Sequence, residues 1–266
     1  MPELPEVETI VRTLWPRLAG RKIQGVSLRR ADVIFPDRVN LAGMLVGRSL
    51  ADIRRRGKKI VFALTDGNRF YIHLGMTGRL SLQLAHTPPA PHTHLILRLD
   101  GREIRFSDPR RFGGVFWLGK NGSADEGLGP EPLKMRRTQL ARLLRRTTRA
   151  IKSALLDQSL IAGLGNIYAD ESLFAAGIHP SMPANKLSAR QIARLSRGMK
   201  QVLRRALRHR GSTLRDYRDA DGNAGDFQKL HRVYRRAGMP CVVCKTAVRR
   251  IVISGRSTHF CPKCQT

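Results

Sequence analysis

All four cysteines of the chain fall between positions 241 and 266, at Cys241, Cys244, Cys261 and Cys264, in the spacing C-x2-C-x16-C-x2-C. That pattern limits what this segment can fold into more than any other feature does. Each close pair can grip one side of a tetrahedral ion, and the long gap leaves room for a β-hairpin. So short a tail cannot bury a sizeable apolar core, so the ion takes the core's place. Four thiolates leave no open coordination position, which implies one structural Zn2+ per chain and not a catalytic metal. A redox pair or free thiols are the alternatives. An extracellular disulfide framework would spread its cysteines along the chain, so the spacing reads as cytosolic. Gly238-Met239-Pro240 leads into the module, read as residues 236–266.

Upstream, the hydrophobic period changes twice. Val7, Ile10, Val11, Leu14 and Leu18 recur at a helical spacing, predicting a first helix over Pro5–Leu18 with Glu3, Glu6 and Glu8 near its N-terminus. The segments 25–30, 49–54, 60–65, 70–74, 80–84, 95–99, 103–107 and 115–118 alternate and carry β-branched or aromatic residues, as strands do. Asp100-Gly101 and Asp66-Gly67 read as two-residue hairpin turns. Residues 1–120 are therefore expected to form an antiparallel β domain of two stacked sheets with one helix. The Gly- and Pro-bearing stretch 121–135 is the linker. Helices are predicted at 140–144, 151–156, 167–176 and 189–208, within a helical domain over 136–235. The last of these has Ser188 and Gln191 as a capping box and an apolar stripe of Ile192, Leu195, Met199, Val202 and Ala206. Its other face carries Arg190, Arg194, Arg197, Lys200, Arg204, Arg205 and Arg208. Sequence leaves open whether that face is merely solvated or contacts phosphate.

Charge bears on the partner. Lys and Arg number 49 against 20 Asp and Glu, a formal net charge of +29, which points to a polyanion. No run of 18 uncharged apolar residues occurs, and the acidic start MPELPEVETI is unlike a secretory signal. The hairpin between the cysteine pairs carries Arg249, Arg250 and Arg256, with Lys263 beside it, which suits a DNA groove or backbone. Zinc ribbons also bind proteins, so this motif does not decide alone.

The start of the chain carries possible chemistry. Removal of Met1 would leave Pro2 with a free secondary amine, whose reference pKa near 8 lies far below that of lysine. Such an amine can attack an aldehydic or glycosidic carbon and form an iminium ion, with Glu3 and Glu6 placed to move protons. The competing reading is structural, since proline and glutamates are common in a first helical turn.

Longer strings narrow the choice. PELPEVET (2–9), RRGKK around Lys58, HLGMTG (73–78), SDPRRFGG (107–114), LGPEPL (128–133), GLGNIYADESLFAAGIHP (163–180) and the four-cysteine tail occur in order along nearly the whole chain. In these the chain resembles the bacterial formamidopyrimidine-DNA glycosylases, also called 8-oxoguanine-DNA glycosylases. The resemblance implies a mixed α/β multidomain fold: an N-terminal β-sandwich, a helical domain with a helix–two-turn–helix motif, a C-terminal zinc-finger hairpin, and a DNA cleft between domains. It implies a DNA-formamidopyrimidine glycosylase that is also an AP lyase. Pro2 matches the amine that attacks C1′ of the damaged nucleotide, Glu3 the residue that transfers protons on the sugar, and Glu6 its support. Elimination on the 3′ side and then the 5′ side leaves a one-nucleotide gap.

The resemblance assigns further residues. Lys58 matches a lysine beside the lesion's phosphates. Met76, Arg110 and Phe112 match the residues that fill the space left by the everted base, a flexible apolar chain, a donor for the orphaned partner base and an aromatic wedge. Arg111 and His92 match phosphate contacts, Lys152 and Asn166 match residues that grip backbone near the lesion, and Arg256 matches the finger arginine. The implied partner is damaged double-stranded DNA, bound by a cytoplasmic, nucleoid-associated monomer with no membrane role and no obligate protein partner. Leu4 together with Met76, Arg110 and Phe112 favours the oxidised-purine branch over the related endonuclease VIII group, which acts on oxidised pyrimidines.

Two positions depart from the family pattern in the loop expected over the flipped base, Gly211–Phe227, which is expected to be mobile without a ligand. Arg215 stands where a lysine is usual, and Asp226 where an aromatic is common. Competing classes are a non-catalytic zinc-containing DNA-binding protein, disfavoured by the intact Pro2, Glu3 and Lys58, and an RNA-binding protein, disfavoured by an aromatic content of only 6%.

Overall fold

Pro5 lies in the first turn of helix α1 (Leu4–Leu18), where its missing N–H is no loss, and the Glu6 carboxylate reaches back to the Glu3 backbone N–H at 2.8 Å. The face carrying Val7, Ile10, Leu14 and Leu18 is buried. The computed structural model describes residues 1–266. They divide into two units, Met1–Glu126 with Arg210–Asp226, and Gly127–His209 with Phe227–Thr266. No helix is long and apolar enough to cross a membrane.

In the first unit, β1 (Gly25–Leu28), β2 (Ile34–Phe35), α2 (Leu41–Leu45), β3 (Leu50–Arg56), β4 (Lys59–Leu64), β5 (Arg69–His73), β6 (Arg79–Leu84), β7 (Thr93–Leu99), β8 (Arg102–Ser107) and β9 (Gly114–Gly119) follow α1. They form a four-stranded sheet, β1-β7-β8-β6, and a five-stranded sheet, β2-β9-β5-β4-β3. One core joins Phe62, Phe70 and Ile72 of the larger sheet to Leu82, Leu97, Ile104 and Phe106 of the smaller, with α1 supplying Ile10 and Leu14.

All eight expected strands are present, with ends shifted by one or two residues. The domain is not wholly antiparallel, however: β2, unforeseen because it is only two residues long, runs parallel to β9. Asp100-Gly101 makes the expected two-residue turn between β7 and β8, with Gly101 at φ 66°. Asp66-Gly67 instead sits in a four-residue connection between β4 and β5, closed by Asp66 accepting from the Asn68 N–H.

The second unit contains α3 (Arg137–Arg145), α4 (Ile151–Leu156), α5 (Asn166–Ala176), α6 (Ala189–Arg208) and the antiparallel hairpin β10 (Arg249–Ile253) with β11 (Arg256–Phe260). Helix α5 is buried on nearly every side, from Ile167 to Phe174, and ends at Gly177 in the left-handed conformation. Helix α6 has the expected Ser188/Gln191 box, but Leu203 and not Val202 completes its buried stripe.

The segment Arg210–Asp226, read from sequence as part of the helical domain, packs with the first unit. The Ser212 N–H donates to Glu6 at 2.7 Å, Tyr217 Oη donates to the Glu6 carbonyl at 3.2 Å, Arg17 pairs with Asp221, and Ala220 joins the core. The loop expected to be mobile is thus tied to α1.

Candidate nucleic-acid interface and N-terminal site

In the five-stranded sheet, Lys59 of β4 is the cross-strand partner of His73 of β5, and His73 that of Gly114 of β9. These residues begin β4, end β5 and begin β9. The register therefore brings Lys58, the loop 74–78 and the loop 108–113 to one end of one sheet. Lys58 follows Gly57 in the β3–β4 turn and is 9% exposed. Arg55 fixes that turn to α1, donating to Glu8 at 3.0 Å and to the Gly57 carbonyl at 3.0 Å.

Pro2, Glu3 and Glu6 are buried, while Met1 is 53% exposed. Burial holds the Met1 amine below its ordinary pKa; Lys58 pushes the same way, against Glu3, Glu6 and Asp216. Glu6 uses one oxygen on the Glu3 N–H and the other on the Ser212 N–H. Gly211 sits so close that a Cβ there would lie 2.5 Å from Glu6 Oε1. Glu6 thus braces the start of the chain against the returning segment.

The loops carrying Met76, Arg110 and Phe112 are clamped by Asp108, which is fully buried. Its carboxylate accepts from Thr77 Oγ1 at 2.5 Å, Gly113 N at 2.8 Å and Arg110 N at 3.2 Å; its carbonyl is 2.8 Å from His94 Nε2. The loops approach backbone to backbone: a Cβ on Gly75 would lie 2.5 Å from Gly113 N and Phe112 C, at a φ of 56° that disfavours side chains in any case. Above this clamp the Arg110 guanidinium lies 4.5 Å from the centre of the Phe112 ring, which is 56% exposed, and Arg110 Nη1 is 4.0 Å from Met76 Sδ. The three side chains expected to fill a base vacancy form one surface cluster, with Arg110 and Phe112 exposed and Met76 half-buried. Arg111 pairs with Asp32 at 2.5 Å; Arg30 and then Arg111 hold the Asp32 carboxyl down at about 2. His92 is exposed beside the clamp, its carbonyl accepting from Asp108 N.

Asp108 was not among the residues singled out from sequence, although it lies within SDPRRFGG. Its signal was an acidic residue inside a basic loop string that ends in Gly113-Gly114, where the backbones approach closely. Replacing it with Ala leaves Gly113 N–H and Thr77 Oγ1 without this acceptor, at about 1–3 kcal/mol for each buried donor. The expected result for Asp108→Ala is a first-unit urea transition destabilised by about 2–4 kcal/mol, with Asp108→Asn losing less. Fluorescence of Trp15 and Trp117, both in the first unit, reads this directly.

In the second unit, Asn166 opens α5, and its amide donates to the Ser257 carbonyl at 2.9 Å, beside Arg256 at the exposed start of β11. Lys152 was expected to grip phosphate. It is instead 0% exposed, ion-paired with Asp170 and donating to the Asn166 carbonyl at 3.2 Å. Asp170 also accepts from His259 N at 3.0 Å. Lys152 therefore positions Asn166 and the hairpin from within, because its ammonium is consumed by a buried carboxylate. The neighbouring Glu171 accepts from the N–H groups of Arg232, Val233 and Tyr234 at 2.9–3.0 Å, which opposes the rise that burial imposes on its pKa.

The four cysteine sulfurs lie within 4.8 Å of one another, with Cys241–Cys264 at 3.9 Å and Cys244–Cys261 at 3.4 Å, and all are free of disulfides. Four thiolates around zinc at roughly 2.3 Å stand about 3.8 Å apart, so the sulfurs already sit close to tetrahedral edges. Val243 N donates to Cys241 Sγ and Cys264 N to Cys261 Sγ, both at 3.4 Å. This is a structural zinc site for one ion.

A zinc-stapled hairpin, a buried-helix domain and a β-sandwich bearing a half-buried Met76 beside exposed Arg110 and Phe112 define a class of DNA-repair fold. Family models agree with that reading. Residues 1–115 match the formamidopyrimidine-DNA glycosylase N-terminal domain, 128–218 its H2TH domain, and 238–266 the zinc finger found in FPG and IleRS. The formamidopyrimidine-DNA glycosylase of Symbiobacterium thermophilum is 45% identical over 100% of this chain and 89% of its own; that of Solibacter usitatus is 43% identical over 100% and 99%. The crystal structure of a Lactococcus lactis FPG mutant bound to Fapy-dG-containing DNA superposes with a TM-score of 0.93 at 34% identity, covering 100% of both chains. The Lactococcus lactis Fpg bound to abasic-site DNA gives 0.93 at 34%, covering 99% of each. This chain belongs to the formamidopyrimidine-DNA glycosylase family.

Proposed function

We propose that this chain excises oxidised purines, 8-oxoguanine and formamidopyrimidines, from duplex DNA and then cleaves the strand, with the Pro2 amine as nucleophile. The observation that carries the reading is the burial of Pro2 and Glu3 at the start of the first unit, braced by the Glu6 carboxylate on the Glu3 and Ser212 N–H groups, together with the burial of Lys58 within electrostatic reach of the Met1 amine. Once Met1 is removed, the amine of Pro2 attacks C1′ of an everted nucleotide. The C1′–N bond breaks and its electron pair leaves with the base, which takes up a proton. Opening of the sugar ring leaves an iminium linking Pro2 to C1′, with Glu3 moving protons to and from the sugar oxygen. Loss of a proton from C2′ then expels the 3′ phosphate, and a further elimination expels the 5′ phosphate. Lys58 holds a lesion phosphate by its fixed charge. Glu6 acts through Glu3 and Ser212 as a positioning residue.

Met76, Arg110 and Phe112 occupy the vacated stack, and Arg110 donates to the partner base. Arg111 and His92 meet phosphates, Arg111 by exchanging Asp32 for an anion. Asn166 and Arg256, joined through Ser257, meet backbone near the lesion. The protein acts as a cytoplasmic monomer at the nucleoid.

Arg110→Ala tests the base-reading role. Base-edge contacts carry about 1–3 kcal/mol of discrimination. The ratio of excision opposite cytosine to excision opposite adenine should therefore fall by about 5- to 150-fold, while affinity for undamaged duplex changes little. An unchanged ratio removes Arg110 from that role. Borohydride reduction of the protein with a duplex holding 8-oxoguanine opposite cytosine tests the activity as a whole, by capture of a covalent complex.

A further inference from the structure

We propose that the outer face of α3 and α6 is a second duplex-DNA surface, which holds the phosphate backbone of an undamaged stretch apart from the lesion-gripping residues. Arg190, Arg194, Arg197, Arg204 and Arg208 are exposed, and they follow one another at intervals of four, three, seven and four residues. That is the repeat of a single helix stripe, about 27 Å long at 1.5 Å per residue. The opposite side of α6, with Ile192, Leu195, Met199 and Leu203, is buried, and Gly198 packs within contact of Ala175 of α5. The stripe is therefore the face turned away from α5. Helix α3 packs against α6 and adds exposed Arg136, Arg137, Arg142, Arg145 and Arg146 at and around its own length.

The density of arginine, with no acidic residue in either segment, separates this face from an ordinary solvated one. In the first unit Arg12, Arg17, Arg21, Arg30, Arg48, Arg56, Arg79 and Arg111 each pair with an acidic residue, and exposed arginines without an ion pair, such as Arg29, Arg38 and Arg102, stand among them. None of the α3 and α6 arginines named above is in an ion pair. No Asp or Glu occurs from Pro132 to Leu156 or from Ser181 to Arg215. Like charges four residues apart on a helix, such as Arg190 and Arg194 or Arg204 and Arg208, repel one another. A soluble surface mixes its signs; this one sustains repulsion that only an external anion relieves. A duplex, with one charge per roughly 1.7 Å of axis, presents a row of phosphates along a stripe of this length. The groups assigned to the lesion, Asn166 and Arg256, lie elsewhere in the unit, joined to each other through Ser257.

The test uses the full zinc-loaded chain. Wild type is first saturated with a short duplex carrying a tetrahydrofuran abasic analogue, and a labelled undamaged duplex is then titrated in at several salt concentrations. The first step reports on the proposed lesion site and the second on the new surface, so each can fail alone. The set Arg190→Gln, Arg194→Gln, Arg197→Gln and Arg204→Gln keeps helix propensity while removing four charges. It should bind the abasic analogue normally, lose tenfold or more in affinity for the second duplex, and show a log–log salt slope smaller in magnitude by about 3 to 4. The four-lysine counterpart should stay within about threefold of wild type, because charge and not guanidinium geometry holds the backbone. Absence of a second duplex on wild type, an unchanged second affinity in the glutamine set, or equal loss in the lysine set overturns the proposal. So does a glutamine set that loses binding to phosphatidylglycerol vesicles but not to DNA.

Discussion

With Met1 retained, or with a tag fused ahead of Pro2, the protein is expected to bind lesion DNA and yield no borohydride-stable adduct. Excision should drop by about 10^4-fold or more, the scale on which loss of a nucleophile acts. The physical reason is that the crowd of lysines and arginines stays protonated near neutrality, whereas an α-amine titrates there. Pro2 and Glu3 are buried at the start of the chain, and desolvation of an amine there favours its neutral form. The sign follows directly: as pH falls below the amine's own pKa, the nucleophile is protonated and the single-turnover rate falls with it. Pro2→Gly keeps an α-amine but loses the ring, so it should bind normally and cut poorly. Mass mapping of the trapped adduct decides the assignment. A cross-link on Lys58 or another lysine, or a normal rate with Met1 in place, refutes the proline mechanism whatever the glycosylase activity.

Removing zinc should abolish tight lesion binding, a loss of about 100-fold or more, because the ion is worth on the order of 10 kcal/mol in modules of this size. The finger's own apolar contacts are few: Phe174, Val233 and Val248 around the cysteines. A lone two-stranded hairpin of this length is marginal in water. Its collapse would release Ser257 from Asn166 and His259 from Asp170, and so displace Arg256 together with the start of α5. The first unit has a separate core, so Trp15 and Trp117 fluorescence should not change on chelation. Metal analysis should give one zinc per chain. A Cys261→Ser protein that keeps full zinc and full excision contradicts this account.

The chain's one-dimensional patterns determined most of its local structure and its family. Periodicity located every strand of the first unit longer than two residues, since alternation is written in neighbouring residues, while the finger hairpin was inferred from the cysteine gap. Cysteine spacing determined the zinc site, because a knuckle grips its ion through residues three apart. What sequence left open were pairings between distant residues. The resemblance assigns Lys152 to the DNA backbone; only folding sets it against Asp170 and removes its charge from solvent. Asp108 reads as one loop acid among many until folding delivers Thr77, Gly113 and Arg110 to it. The segment 210–226 follows α6 in sequence and so was assigned to the helical domain, yet it returns to the first unit because Glu6, some two hundred residues earlier, presents the carboxylate that Ser212 needs. The arginine stripe of α6 was legible as a stripe from the start. Which of its charges lack a partner depended on where every acidic residue in the molecule came to rest, and that is a property of the tertiary structure alone.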